Sequence, residues 1–376
     1  MGSAPTLDRL VDRAFALRDA TLSNPRFQRW AARFPMTRGV ASRRATALFD
    51  ICAGFVYSQI LQACVRLRVL ELLAERPRSA RELADAVDLP VDAAERLLEA
   101  AASLKLAQRR SRGRYGLGVH GASYLGNPAV GKMVEHHALL YRDLQDPIAL
   151  LRGQDKETDL MRFWSYAHPA GPGDCAEAVA PYSELMASSL SLIAEDILEA
   201  YPVDRHRRLL DVGGGTGAFI AAVARHAPAL ALSLFDLPPV AAQARDHLKR
   251  SGLSERVRVT GGDVFRDALP QDVDLVTLVR ILHDHDDAQA LRILRAVRTA
   301  LRPGGTLLIA EPMSGTSGAE PVGDAYFGFY LLAMGQGRPR SPGQLRTLLS
   351  EAGFFRVEAR RTRRPMLSRL LVAQAP

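Results

Sequence analysis

Three carboxylates stand where short apolar runs end: Asp211 in LLDVGGGTG (209–217), Asp236 in FDLP (235–238) and Asp263 in GDVF (262–265). The first run passes through Gly213, Gly214, Gly215 and Gly217 into AFIAAVAR (218–225), which reads as a helix. A strand that meets glycines and then a helix makes a cradle for a nucleotide-like ligand. The missing side chains let the ligand approach the backbone, and the helix start offers free N–H groups. A fourth cluster, HDHDD (283–287), follows the apolar run VDLVTLV (273–279) and puts a histidine, His283, at the mouth of the same sheet. Adjacent residues seldom converge on one ion, and Asp286 is a natural cap for the next helix. HDHDD is therefore not read as a metal site, and no metal is expected.

Two ligands compete for the cradle. Gly213, Gly215 and Ala218 satisfy a relaxed G-x-G-x-x-G/A, and Asp236 lies at ribose distance, which permits NAD. Three details favour S-adenosylmethionine. The run Asp211, Gly213, Gly215, Gly217 is crowded with glycine, as suits a ligand with no pyrophosphate. Asp211 is placed to order the loop around the cationic amino-acid end. Asp263 is placed to accept from an adenine amine. The bland alternative for Asp236 and Asp263 is turn or helix capping.

These residues need a sheet to align them. From Arg207 onward strands and helices alternate strictly, which calls for a parallel α/β sheet with both faces covered and ligands at the C-terminal strand ends. Strands are expected at 207–212, 230–235, 257–260, 273–279 and 306–310, with two closing strands at 355–359 and 369–373. Helices are expected at 324–334 and 341–352. The region before the sheet divides into a basic helical extension (1–46), a helical and winged-helix part (47–125) and a helical linker (126–200). The sheet domain occupies 201–376. Ala47–Ala74 reads as one helix whose apolar faces require burial. Ser79 and Glu82 form a capping box, and LAQRRSRGRYGLG (106–118) reads as a hairpin around Gly113. Arg109, Arg110, Arg112 and Arg114 on that wing suggest a DNA-binding regulator, but Glu95 and Glu99 on the preceding helix repel phosphate, so no nucleic-acid partner is expected. In the linker, His136, His137, Trp164, Tyr166 and His168 are candidate pocket residues, and 182–200 reads as a long amphipathic helix.

At 376 residues and 47% hydrophobic the chain can bury two cores. Its +8 charge is carried mostly by arginine. Cys52, Cys64 and Cys175 show no metal-ligand spacing and fit a reducing, cytoplasmic setting. No apolar run is expected to span a bilayer and no export signal is visible, but Trp30–Arg44 mixes aromatic and basic residues as a membrane-surface segment does.

Residues 47–376 resemble the class I small-molecule O-methyltransferases, in which a winged-helix dimerisation domain precedes a seven-stranded, Rossmann-like methyltransferase domain. LLDVGGGTG, FDLP, GDVF, ILHDHDD (281–287), LRPGG (301–305) and AEP (310–312) match that family's motifs in order. The resemblance implies a homodimer that takes a methyl group from S-adenosylmethionine and releases S-adenosylhomocysteine. It implies a cofactor set of Asp211, Gly213, Gly215, Asp236, Leu237, Asp263, Val264 and Arg280, with Met186 near the sulfur. It also implies that His283 is the base and that Glu311 orients it. The chain departs from the family in having Pro339, within GRPRS (337–341), where a second glutamate is usual, and Val279-Arg280 where a lysine–tryptophan pair is usual.

FQRWAARFP (27–35), FDICAGFVYSQ (49–59) and DAYFGFYLLAMGQGRPRS (324–341) are similar to the bacterial hydroxyneurosporene (demethylspheroidene) type, which methylates the tertiary 1-hydroxyl of acyclic carotenoids. That similarity makes Trp164, Phe327, Tyr330 and Met334 the expected acceptor wall. An aromatic polyketide or phenol is the alternative acceptor. A carotenoid acceptor would also favour peripheral contact with the inner membrane face.

Overall fold

The structure is a computed structural model that describes residues 4–154, 157–164 and 190–376. The chain divides into two compact units, Met1–Gly126 and Asn127–Pro376. The expected wing thus belongs to the first unit and the described part of the linker to the second.

The first unit opens with α1 (Ala4–Ser23) and α2 (Pro25–Arg33), the latter begun by Asn24, whose side chain accepts from the backbone of Arg26 and Phe27. The expected helix 47–74 is two helices, α3 (Arg38–Arg66) and α4 (Val69–Glu75), because Arg68 takes the left-handed conformation at φ 53° and breaks the run. Only the end of α3 enters the core, where Cys64, Leu70, Leu83 and Leu98 pack. Its first half leaves Leu48, Phe49, Ile51 and Phe55 exposed. The expectation that no apolar run could span a bilayer needs correcting. Between Arg44 and Arg66 the only charge is Asp50, and α3 is long and apolar enough to cross by length and composition alone. α5 (Ala80–Val87) carries the expected Ser79–Glu82 capping box, and α6 (Val91–Ser103) follows. β1 (Ala107–Arg109) and β2 (Tyr115–Leu117) form the antiparallel hairpin before α7 (Val119–Leu125). Two wing arginines already face carboxylates, Arg109 with Glu99 and Arg114 with Glu82, each at 3.0 Å.

The second unit opens with α8 (Pro128–Asp143), α9 (Pro147–Leu151), α10 (Asp159–Phe163) and α11 (190–200). Its sheet is mixed and seven-stranded, with β3 (Arg208–Val212), β4 (Ala231–Asp236), β5 (Val257–Gly261), β6 (Val273–Val279), β7 (Leu301–Glu311), β8 (Phe355–Arg360) and β9 (Arg369–Gln374). The order is β5-β4-β3-β6-β7-β9-β8. The first five are parallel; β9 runs antiparallel to both of its neighbours, β7 and β8, so β8 points the same way as the first five. All seven residues of β6 are buried, as a central strand covered on both faces requires. Its one charge, Asp274, accepts from the backbone N–H groups of Arg207 and Arg208 and pairs with Arg302 at 2.9 Å, which ties the starts of β3, β6 and β7 together. β7 begins earlier than expected, at Leu301, with its register slipping between Val273 and Leu275.

The crossover helices are α12 (Ala218–His226), α13 (Pro238–Arg250), α14 (Asp287–Ala300) and α16 (Pro342–Glu351). Asp286 caps α14 by accepting from Gln289 at 2.7 Å. The expected helix 324–334 is a π-helical stretch, Pro321–Phe327, that continues as α15 (Gly328–Met334) and ends at Gly335. π-helical turns of this kind often mark functional sites. Tyr330, Leu331, Ala333 and Met334 pack with Leu140, Leu150, Leu160 and Trp164, so this helix is anchored by α8–α10.

Candidate active site

The loop after β3 is shaped by close approach. Gly213 has φ +70°, and a Cβ there would lie 2.3 Å from Ile281 Cδ1. A Cβ on Gly214 would lie 2.7 Å from Asp211 Oδ2. Larger residues cannot occupy either place without moving the loop. Asp236 then fastens it: its Oδ2 accepts from Gly215 N and its Oδ1 from Leu237 N, both at 2.7 Å. Burial pushes this carboxyl up to about 6 even against those two hydrogen bonds.

The loop and the ends of β4, β5 and β6 enclose a cleft of about 470 Å³. That falls in the usual range for small-molecule sites, about 300–1,000 Å³. Gly213, Gly215, Asp236, Leu237, Asp263 and Val264 line it, as the sequence led us to expect. Phe235, Phe265, Ile281 and Ile293 add an apolar wall. The donor set fits S-adenosylmethionine: a carboxylate for ribose hydroxyls, flat apolar surfaces for a purine, and backbone stripped of side chains. Asp263 faces the cleft while also serving its turn, its Oδ1 accepting from Phe265 N at 2.9 Å. The turn-capping alternative for that residue is met by this bond.

Two of the expected cofactor residues lie elsewhere. Asp211 is 1% exposed and sits beneath Gly214, not on the cleft wall; its Oδ1 accepts from the Thr277 hydroxyl at 2.6 Å. Burial raises its carboxyl to about 7. Arg280 lies in a second, smaller hollow, with its guanidinium 5.8 Å from the Phe327 ring. Met186, Tyr166 and His168 lie outside the described residues, as does Cys175.

The smaller hollow measures about 20 Å³, room for roughly one water, and is lined by Trp164, Arg280, His283, Asp284, Phe327 and Tyr330. Trp164 and Asp284 line both spaces, so the two adjoin there, and Met334 borders the larger one. His283 is 3% exposed. Glu311 does not touch its imidazole. Its Oε2 accepts from the His283 backbone N–H at 3.1 Å, so it fixes the loop rather than the ring. The carboxyl group on the ring is that of Asp284, with Oδ1 3.2 Å from Nε2. Burial, with Arg280, His285 and Arg340 nearby, holds His283 well below the usual histidine range, so the imidazole is neutral at pH 7. Burial pushes Asp284 up to about 8 and Glu311 up to about 7.

Sequence reasoning missed Arg340, the largest fully buried side chain among the described residues. Its guanidinium donates to Leu282 O at 2.6 Å, His285 O at 2.7 Å and Asp287 Oδ1 at 2.8 Å. Arg338 N donates to His283 O at 2.8 Å, and a Cβ on Gly337 would lie 2.2 Å from that same oxygen. GRPRS is thus the clamp that seats the histidine loop; the departure at Pro339 marked the segment in the sequence but not the buried arginine. Tyr330 is a second junction: its hydroxyl meets His136 Nε2 at 2.7 Å and accepts from Trp164 Nε1 at 3.1 Å. His137 makes the matching contact to the Tyr326 hydroxyl at 2.8 Å. Among the described residues, no three His, Cys, Asp or Glu side chains converge as a metal site.

Comparison with known proteins agrees with this geometry. Residues 141–355 match the O-methyltransferase domain and 49–127 the O-methyltransferase dimerisation domain. The chain is 44% identical to demethylspheroidene O-methyltransferase of Cereibacter sphaeroides over 93% of this chain and 92% of that one. It is 41% identical to the enzyme of the same name from Rhodobacter capsulatus over 91% of this chain and 85% of that one. Human N-acetylserotonin methyltransferase, solved in complex with SAM, superposes with a TM-score of 0.74 at 25% identity, covering 88% of this chain and 97% of that one. With its glycine cradle, its histidine loop and both matched domains in order, the chain belongs to the O-methyltransferase family.

Proposed function

We propose that this protein transfers the methyl group of S-adenosylmethionine to the tertiary 1-hydroxyl of an acyclic hydroxycarotenoid, of the 1-hydroxyneurosporene or demethylspheroidene type. The observation that carries the acceptor is the 44% identity, over nearly the whole chain, to an enzyme named for demethylspheroidene. The aromatic surroundings of His283 support it, since Trp164, Phe327 and Tyr330 give the hollow that would take the hydroxyl of a hydrocarbon acceptor an apolar lining. We further propose that the chain works as a homodimer through its N-terminal domain, in the cytoplasm, and meets its water-insoluble acceptor at the inner membrane face.

The cofactor supplies an electrophilic methyl on a sulfonium. Asp236 would accept from ribose hydroxyls, and Asp263 and Val264 would flank the purine. Gly213 and Gly215 would let the backbone approach the ligand. Asp211 would act from below by holding the loop. The hollow at His283 admits a hydroxyl group but not the chain that bears it. A neutral imidazole there can take the hydroxyl proton as the oxygen–methyl bond forms, an effect worth about 10²–10⁴ in rate. Asp284 would orient that ring, while Glu311 and Arg340 hold the loop in register. Trp164 and Asp284, which border both spaces, mark the path of the methyl group.

The test is a panel of acceptors offered to the purified enzyme with S-adenosylmethionine: 1-hydroxyneurosporene, a flavonoid and an anthracycline. The carotenoid is expected to be the preferred substrate. Turnover of only the aromatic acceptors would replace this reading with the polyketide or phenol one.

A further inference from the structure

One stretch of the first unit is explained neither by methyl transfer nor by the matched dimerisation domain, which begins at residue 49. Residues 20–49 contain six arginines (26, 29, 33, 38, 43 and 44) and no Asp, Glu or Lys. The centre of this stretch is α2, where Asn24 and Pro25 start a helix that sets Arg26, Arg29 and Arg33 in one row and Phe27, Trp30 and Phe34 in the row beside it, each at i, i+3 and i+7 spacing. Phe27, Trp30 and Phe34 form a continuous aromatic row, with ring centroids 5.7 and 5.0 Å apart. Arg26, Arg29 and Arg33 flank that row around a hollow shared with Trp30 and Phe34. Trp30 is 51% exposed and Met36, at the turn into α3, is 83% exposed.

This chemistry is specific in what it accepts. An aromatic row left open to water loses free energy that only an apolar surface can return. A row of arginines in a stretch of sequence without acids selects a dense negative surface and repels basic partners. Indole rings favour the headgroup level of a bilayer, and arginine stems lie along apolar surface while their heads stay in the anionic layer. A helix carrying both, with a basic row beside an aromatic one, lies flat in such an interface.

We infer that α2 and the turn to α3 dock this protein on an anionic lipid bilayer, with Trp30, Phe34 and Met36 entering the headgroup layer and Arg26, Arg29 and Arg33 pairing with lipid phosphates. This names the surface behind the membrane contact proposed above. Vesicle binding needs no acceptor, so failure to bind lipid and failure to methylate a carotenoid are separate results.

The experiment uses the full chain with vesicles of phosphatidylcholine alone, or with roughly 30% phosphatidylglycerol. Co-sedimentation measures binding, and tryptophan emission reports the site. The chain has two tryptophans, and Trp164 is only 5% exposed against 51% for Trp30, so a blue shift and quenching by brominated lipid will come from Trp30. Binding to the anionic vesicles is expected, with the blue shift, and added salt should weaken it. R26Q/R29Q/R33Q should weaken binding by on the order of a hundredfold, at about fivefold for each arginine lost near the surface. W30F should keep most of the binding and lose the spectral change.

Equal binding to both vesicle types, or a triple variant within threefold of the parent, would overturn the inference. So would an aromatic variant such as W30Q/F34Q that turns dimer into monomer while vesicle binding stays unchanged, since the row would then belong to a second copy. Duplex DNA that displaces the protein from vesicles through the same arginines would reassign the surface to nucleic acid.

Discussion

Asp236→Asn is the sharpest perturbation of the cofactor cleft, because it keeps shape and removes charge. The carboxylate has two occupied oxygens, one on Gly215 N and one on Leu237 N, both at 2.7 Å. An amide has a single oxygen, so its NH2 must face one of those N–H donors. The unpaired donor costs about 1–3 kcal/mol of folding stability. The ligand loses more directly, since a hydrogen bond to a charged acceptor is worth about 1.5–3 kcal/mol, or roughly 10–150-fold in Kd. Titration calorimetry with S-adenosylmethionine at pH 7.5 should show that loss, with a lowered Tm in the free protein. The wild-type carboxyl titrates at about 6 in the free protein, so its affinity should also fall as pH drops through 6, while the Asn variant stays flat. An Asn variant that binds within threefold of wild type, or a wild-type affinity flat from pH 7.5 to 5, would refute this role for Asp236.

Three further outcomes follow from the same geometry. Gly337→Ala puts a methyl group at 2.2 Å from His283 O at a φ of +83°, so the histidine loop must move. A drop in kcat on the order of a hundredfold is expected, since misplacements near 1 Å have that effect; unchanged kcat would show that the loop tolerates the shift. Tyr330→Phe removes the hydroxyl that Trp164 Nε1 and His136 Nε2 share. It should cost about 1–3 kcal/mol in urea unfolding and raise the acceptor KM with little change in cofactor Kd. Stability of the free protein should fall as pH rises from about 6.5 to 8. Asp211, Glu311 and Asp284 have carboxyls raised by burial to about 7, 7 and 8, so the folded chain holds protons that the unfolded chain has released. Their stabilisation is full below the ordinary carboxyl range and is lost as pH rises through 7 and 8. Lowered histidines such as His283 and His136 oppose this only below about 6.5. A Tm that rises with pH across that window would contradict the burial of these acids.

The local features of the fold were legible in the sequence. Strand–glycine–helix order, the Ser79–Glu82 box and the Asp286 cap each depend on neighbours within a few residues, and each stands where sequence placed it. The features that escaped depend on contacts across the chain. Nothing local in GRPRS says that Arg340 will be buried against carbonyls more than fifty residues away. Asp284 was visible only as part of HDHDD, and its contact with His283 Nε2 depends on how the short turn at 282–284 seats both side chains. Glu311 was placed near the histidine correctly, but whether it meets ring or backbone is settled by the packing of β7 against that turn. The break at Arg68 is likewise invisible to periodicity, because the apolar pattern runs straight through it.

The central claim is a methyl transfer to a tertiary alcohol, with His283 as the base. Its most direct test is a single turnover of the purified protein with methyl-labelled S-adenosylmethionine and 1-hydroxyneurosporene, run beside His283→Ala. The label is predicted to appear as a methoxy group on the terminal tertiary carbon, about 10²–10⁴ slower in the variant. An unlabelled carotenoid, or a variant as fast as wild type, would contradict it.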